Sequence, residues 1–286
     1  MASFHARSNS LPSTSHPFVT EFDEKLCRLK ASETASSSSS SISHKLSGLQ
    51  DLHECVEKFL LLPFSQQALA QECGDKGINE LFDGSLRLLD VCGIIKDALL
   101  QTKECTHELQ SIMRRRRGGD MSFMSEFRKY LASRKDVKKS MNKALKVKES
   151  KCKDKNHETP AVVNMLKELD AVTGTVFESL VSFIAGSNLR SKSSSWSLVS
   201  KLVQPKRVAC EGEEAADTNE LEKVDAALHS LISHKSSRSG CAAQAENLQN
   251  LLQELEANIQ DIEEGLECLF RRLIKARVSL LNIFNH

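Results

Sequence analysis

Eleven apolar side chains recur at alternating steps of four and three along the last stretch of this chain: Leu248, Leu252, Leu255, Ile259, Ile262, Leu266, Leu269, Leu273, Ala276, Leu280 and Ile283. That spacing keeps one edge of an α-helix apolar and predicts a helix over about 242–284 that packs lengthwise against other helices. At roughly 1.5 Å per residue it is about 60 Å long and sets the length of the molecule. Such a stripe dictates how a chain folds. It carries no chemistry.

The rest of the sequence supplies partners for it. Leu81, Leu88, Cys92, Ile95, Leu99, Thr102, Leu109 and Met113 share the period and predict a second long helix over about 78–116, with Gly84 and Gly93 read as close helix–helix contacts. Phe123, Phe127, Leu131, Val137, Met141 and Leu145 mark a third, opened by Asp120 or Ser122, whose other faces are almost all Lys and Arg. Thr159-Pro160 opens a fourth through Val163, Leu166, Leu169, Val172, Val176, Phe177, Leu180 and Ile184, closed by Gly186. Leu46, Leu49, Leu52, Val56, Phe59 and Leu60 predict a helix that ends by Pro63, with Ser65 as N-cap of a short piece and a turn framed by Gly74 and Gly77. Phe18 to Lys30 reads as a short amphipathic helix, and Asn219 with Glu222 as a capping box before Leu221, Val224, Leu228 and Leu231. Trp196, Val199, Leu202 and Val203 sketch one further short element.

The expected fold is all-α: an elongated antiparallel bundle of about five main helices behind a disordered tail. Residues 1–43 form the Ser-rich tail, with the run Ser36–Ser41 as a linker. Residues 44–286 form one bundle domain with flexible links near 187–195 and 206–218. The final helix is expected to pack on the 78–116 and 159–186 helices. Its last turns, with Val278, Leu280, Leu281, Ile283 and Phe284, are expected to be the most buried part or a homodimer contact.

The net charge of +1 conceals a segregation. Arg114 to Lys155 holds sixteen Lys and Arg against five acids, and Glu211 to Glu267 holds fourteen acids against three bases. Either the two segments lie side by side and screen each other, or a basic face meets an acidic partner. Nine scattered Cys without a C-x-x-C pair make neither a disulfide framework nor a zinc site, and point to a reducing compartment. Cys92 reads as a small buried hydrophobe. No apolar run reaches membrane-spanning length, and the N-terminus has no secretory h-region, though its Ser-rich, acid-poor start faintly resembles an organelle transit peptide.

Catalytic signatures are missing: there is no dinucleotide fingerprint, P-loop, nucleophile elbow or H-E-x-x-H. The His residues are scattered, His107 and His229 each alone on a helix, and Glu263, Glu264 and Glu267 read as a solvated helix face. No enzyme, cofactor or metal is expected. Two features suggest partners. Arg114, Arg115, Arg116 and Arg117, with Lys135, Lys138 and Lys139 on the helix that follows, form a candidate basic surface. It reads as a solvated face, a contact for anionic lipid, or a nucleic-acid patch short of stacking aromatics. Arg7, Ser8, Ser10 and Pro12 fit the R-S-x-S-x-P pattern that 14-3-3 proteins bind when the second Ser is phosphorylated.

The opening Phe4 to Pro12 with His16-Pro17, the block Leu81 to Asp90 and above all the ending Leu266 to Ile283 resemble a plant-specific family of unknown biochemical function. That family is grouped with the BYPASS proteins, which act in root and shoot development by restraining a root-derived signal. The resemblance implies a helical plant protein with no catalytic residues to carry over. The expectation is thus a non-enzymatic interaction or scaffold protein of the cytoplasm, peripheral on membranes in one version. The alternative is a nuclear or nucleic-acid-associated regulator using 114–155.

Overall fold

The computed structural model describes residues 17–32, 38–115, 123–146, 161–186, 219–233 and 238–285. Eight helices account for nearly all of them: α1 (Pro17–Ala31), α2 (Ser39–Leu60), α3 (Pro63–Glu72), α4 (Asp75–Arg115), α5 (Met124–Lys146), α6 (Ala161–Ala185), α7 (Glu220–Ser233) and α8 (Arg238–Asn285). Among the described residues there is no strand.

The seam organises the molecule as its period predicts. Leu248, Leu252, Leu255, Ile259, Ile262, Leu266 and Leu269 are all fully buried on α8. Its 48 residues make a rod of roughly 70 Å. The partners differ from expectation. α8 lies along α2 and α4, with α7 and α3 against it, and α6 is not among its main neighbours. α6 turns a broad apolar surface inward, from Val162 and Val163 to Ile184 and Ala185, against α2, α4 and α5, and keeps Asn164, Lys167, Glu168, Ala171 and Glu178 exposed.

Cross-helix contacts give the directions. Along α4 and α8, Arg277 pairs with Ser85, Lys96 with Glu267, Lys103 with Glu263 and His107 with Glu256, so these helices are antiparallel. α2 and α8 instead run parallel, since Gln50 meets Gly265 and Glu57 meets Lys275. The missing Cβ of Gly265 admits Leu46, whose Cδ1 would lie 3.2 Å from one.

Local chemistry corrects several other expectations. Ser36–Ser41 is not all linker: Ser38 caps α2 by accepting from the Ser41 N–H, and Ser39 is a buried helical residue. The Ser39 backbone N–H and hydroxyl both donate to Glu220, at 3.2 and 2.9 Å, an acidic partner suited to a helix N-terminus. Ser65 is not the N-cap of α3; Leu62 holds that place ahead of Pro63, and Ser65 is buried in the helix. Gly74 precedes α4 but Gly77 lies within it. Gly84 is a close contact, whereas nothing approaches within 4 Å of where a Cβ on Gly93 would stand. The end of α8 is not its most buried part: Leu273, Leu280 and Ile283 face inward, but Ile274, Val278 and Leu281 are exposed.

The close of α6 is built from three elements. Gly186 takes a positive φ of +88°, the left-handed turn a helix end favours. Arg134 of α5 donates to the Ile184 carbonyl at 3.0 Å, and the Asn219 amide donates to that of Phe183 at 2.9 Å. The Asn219 side-chain oxygen meanwhile accepts from the Glu222 N–H at 2.9 Å, so one side chain caps the end of α6 and the start of α7.

Candidate interaction surface on α5

α5 divides its charges between two faces. Phe127, Tyr130, Arg134, Val137 and Met141 recur at steps of three and four and are all buried. An arginine thus occupies the middle of the apolar stripe, 2% exposed. Its Nε lies 3.5 Å from Asp225 Oδ1 on α7, and Lys138 donates to Asp225 Oδ2 at 2.9 Å. Arg134 Nε and Nη1 find no hydrogen-bond partner, and neither does the Tyr130 hydroxyl. Burial pushes the Tyr130 phenol well above its usual range. This cluster ties α5 to α6 and α7. It is a structural clamp, because both cations converge on a carboxylate of the same chain.

The outer face is different. Arg128, Lys135, Lys139 and Lys143 point to solvent along one side of α5. Lys139 pairs only with Asp136, three residues earlier and itself exposed, at 3.0 Å. Such a pair contributes little. Among the described residues no acid faces Arg128, Lys135 or Lys143. Of the candidate residues, Lys135 and Lys139 therefore belong to an open basic surface, and Lys138 is half-buried in the clamp. Arg114 and Arg115 are exposed on the last turn of α4, where Arg114 donates to Gln110 Oε1 at 3.2 Å. Arg116 and Arg117 lie outside the described residues, as do Arg7, Ser8, Ser10 and Pro12.

The first reading of the charge segregation holds in part: Asp225 is neutralised by the basic helix, and Glu256, Glu263 and Glu267 of the acidic segment are met by α4. Lys103 donates to Glu263 at 2.6 Å, Lys96 to Glu267, and His107 lies 2.7 Å from Glu256. Glu263 and Glu267 are thus cross-helix partners rather than a solvated face, and His107 is not alone.

The remaining perturbed groups do not converge on one cleft. His53 on α2 is buried 3.0 Å from Thr173 Oγ1 on α6, and desolvation lowers it to about 3, so it is neutral. Cys92 is sealed in the core and pushed up to about 12. No three His, Cys, Asp or Glu side chains among the described residues could hold a metal ion, and no helix there is long and apolar enough to cross a membrane.

Sequence reasoning passed over Arg134, Asp225 and Asp170. The first had a visible signal: an arginine four residues after Tyr130 and three before Val137 sits on the buried stripe. Asp225 and Asp170 had none, since what surrounds them comes from distant parts of the chain.

Neither the comparison with curated proteins nor that with solved structures returns a match. A protein-family model, described as Protein BPS1, matches residues 45–283, which covers α2 to α8 and leaves the 14-3-3-like motif outside. That match extends over most of the chain and agrees with the resemblance carried by Leu81–Asp90 and Leu266–Ile283, and the chain belongs to the BPS1 family.

Proposed function

We propose that this chain is a non-enzymatic interaction protein whose α5 outer face docks on an anionic bilayer at the cytoplasmic side, and that it acts in plant root and shoot development. One observation carries the docking reading: a row of cations on α5 faces solvent while the opposite face of the same helix is locked into the bundle. Clustered Lys and Arg gain about 1 kcal/mol each near an acidic lipid surface, so four together are enough for reversible attachment. The developmental role rests on family membership. Nucleic acid is the less favoured partner, because Phe127 and Tyr130 of α5 are buried and offer no stacking platform beside the cations.

Vesicle co-sedimentation of the full chain tests this. Binding to phosphatidylcholine vesicles containing phosphatidylserine should exceed binding to pure phosphatidylcholine and fall at least tenfold in Lys135→Glu/Lys139→Glu, with an unchanged circular dichroism spectrum. Binding that ignores the charge reversal, or that prefers duplex DNA to acidic vesicles at equal salt, would refute it. The tail adds a second contact in this reading: capture by a 14-3-3 protein that requires phosphorylated Ser10 and is lost in Ser10→Ala.

A further inference from the structure

Away from α5, one face of the bundle presents hydrocarbon to water. On α8, Ile274, Val278 and Leu281 are all exposed, Val278 to 49%. Steps of four and three put them on one side of the helix. It is the side next to α4: Ile274 lies seven residues beyond Glu267 and Leu281 four beyond Arg277, and both of those reach α4. On α4, Leu86 is 47% exposed. It follows Phe82 by four, and Gly93 precedes Lys96 by three, while Phe82 and Lys96 meet α8 at Phe284 and Glu267. The two helices therefore share an outer apolar face. Gly93 leaves a notch in it, with nothing within 4 Å of where its Cβ would stand.

Charge divides this face lengthwise. After Glu267, α8 holds Arg271, Arg272, Lys275 and Arg277 and no acid. Arg271 is 72% exposed and pairs along its own helix with Glu267, and Lys275 reaches Glu57 only at 3.6 Å. Arg277 donates to the Phe82 carbonyl and the Ser85 hydroxyl, both neutral. Alongside, α4 exposes Asp83 and Asp90, and neither is paired with a cation among the described residues. The register set by Ser85 with Arg277 and Lys96 with Glu267 brings Leu86 close to the level of Val278 and Asp90 between Arg271 and Lys275. Further along, exposed Asp97 and Glu264 make both helices acidic, and the division ends.

We propose that two copies of this chain associate through this face about a two-fold axis parallel to the helices, so that α4 of each copy lies on α8 of the other. Leu86 then meets the partner's Ile274 and Val278, and Asp90 meets the partner's Arg271 and Lys275, each contact made twice. The notch at Gly93 accepts the stem of the partner's Arg271. Charge selects this arrangement, since the other two-fold, with α4 on α4 and α8 on α8, sets acid against acid and base against base. From Asn79 to Gly93 the face is about 21 Å long and, at ~10 Å per helix, about 20 Å wide, or roughly 400 Å² per copy. That is at the low end for a specific contact, so the dimer is expected to dissociate with a constant on the order of 10 μM.

Sedimentation velocity of the full chain from about 1 to about 300 μM tests this. The mean mass should rise from one copy towards two. Val278→Glu should weaken association about tenfold or more with an unchanged circular dichroism spectrum. Gly93→Gln, which fills the notch where nothing crowds it within one copy, should weaken association while the fold melts at or above the wild-type temperature. Asp90→Arg and Arg271→Asp should each be monomeric alone, because each sets like charges across the contact. Mixed one to one they should associate as the wild type does, since one copy then offers only cations at those positions and the other only acids. A chain that stays monomeric throughout, a dimer indifferent to Val278→Glu or Gly93→Gln, or a mixture of the two charge variants that remains monomeric would overturn the proposal. No vesicle and no α5 residue enters these measurements, so they stand apart from the docking of α5 on a bilayer.

Discussion

The α4–α8 interface and the surroundings of α6 treat ionisable groups in opposite ways. Between α4 and α8 the buried layer is mostly hydrocarbon, crossed by Gln110, which donates to the Leu252 carbonyl at 3.0 Å, and the ionisable groups stand at the rim, each across from its complement: Lys96 with Glu267, Lys103 with Glu263, His107 with Glu256. Around α6 the polar groups lie inside. Arg134 reaches the Ile184 carbonyl, His53 meets Thr173, and Asp170 lies over Gly84. The contrast follows from position. α8 keeps a broad wet face that carries its own charges, whereas α6 shows water only a narrow strip through Asn164, Lys167, Glu168, Ala171 and Glu178, so polar groups on its other sides meet partners brought in by neighbours. Rim pairs set register at little cost in desolvation. Interior groups impose specificity and leave the fold sensitive to pH.

The sharpest way to break the comparison is to remove an interior charge. Arg134→Ala leaves Asp225 with Lys138 as its cation, unpairs the Ile184 carbonyl at the end of α6 and empties a buried site, and should cost about 3–5 kcal/mol in denaturant unfolding. A loss under 1 kcal/mol would make the interior cluster equivalent to a rim pair. Next in size is the dry layer itself, where Ile259→Ala should cost about 2–5 kcal/mol, scaling with the cavity left behind.

Proton linkage separates the two regions further. His53 is held neutral, its folded value of about 3 lying below the ordinary 6.5. Only the unfolded chain takes up the proton as pH falls through that window. Wild-type stability should therefore drop by ~2 kcal/mol between pH 6.5 and 5, and His53→Gln should flatten that slope. Asp170 works in the opposite sense. Its folded value of about 7 lies above the ordinary 3.8, so its contribution is fully present below pH 3.8 and is lost as pH rises to about 7. Asp170→Asn should accordingly gain on the wild type by about 1–3 kcal/mol across that window and level off above it. In the wild type the two slopes overlap and partly cancel; chemical denaturation of each variant at several pH values resolves them. The smallest effect belongs to the rim: a Lys103→Ala and Glu263→Ala double-mutant cycle should give a coupling below about 1 kcal/mol, shrinking with salt.

Much of the architecture was readable in advance wherever one short-range signal sufficed. The eleven-position stripe placed α8, Pro63 bounded α2, and Asn219 with Glu222 started α7, because periodicity and capping depend on residues a few places apart. The candidate surface was readable only as composition. Lys135, Lys138 and Lys139 look alike in sequence, and it took α7 to draw Lys138 inward to Asp225 while Lys135 and Lys139 stayed in water. The serine run misled for the same reason: its residues have weak preferences of their own, and Glu220, far along the chain, made helix of Ser39 onward.

By itself the sequence determined an all-helical chain built on a leucine seam, since apolar side chains at a 3.5-residue spacing can leave water only along a helix edge. Tertiary structure decided the partners of that seam, which sides of α6 are buried, and which cations are neutralised. It also decided that Gly84 and Gly93, both interior to one helix, differ: one faces Asp170 and the other faces nothing within contact distance. Those outcomes depend on desolvation and on distances between residues remote in sequence, which no local pattern encodes.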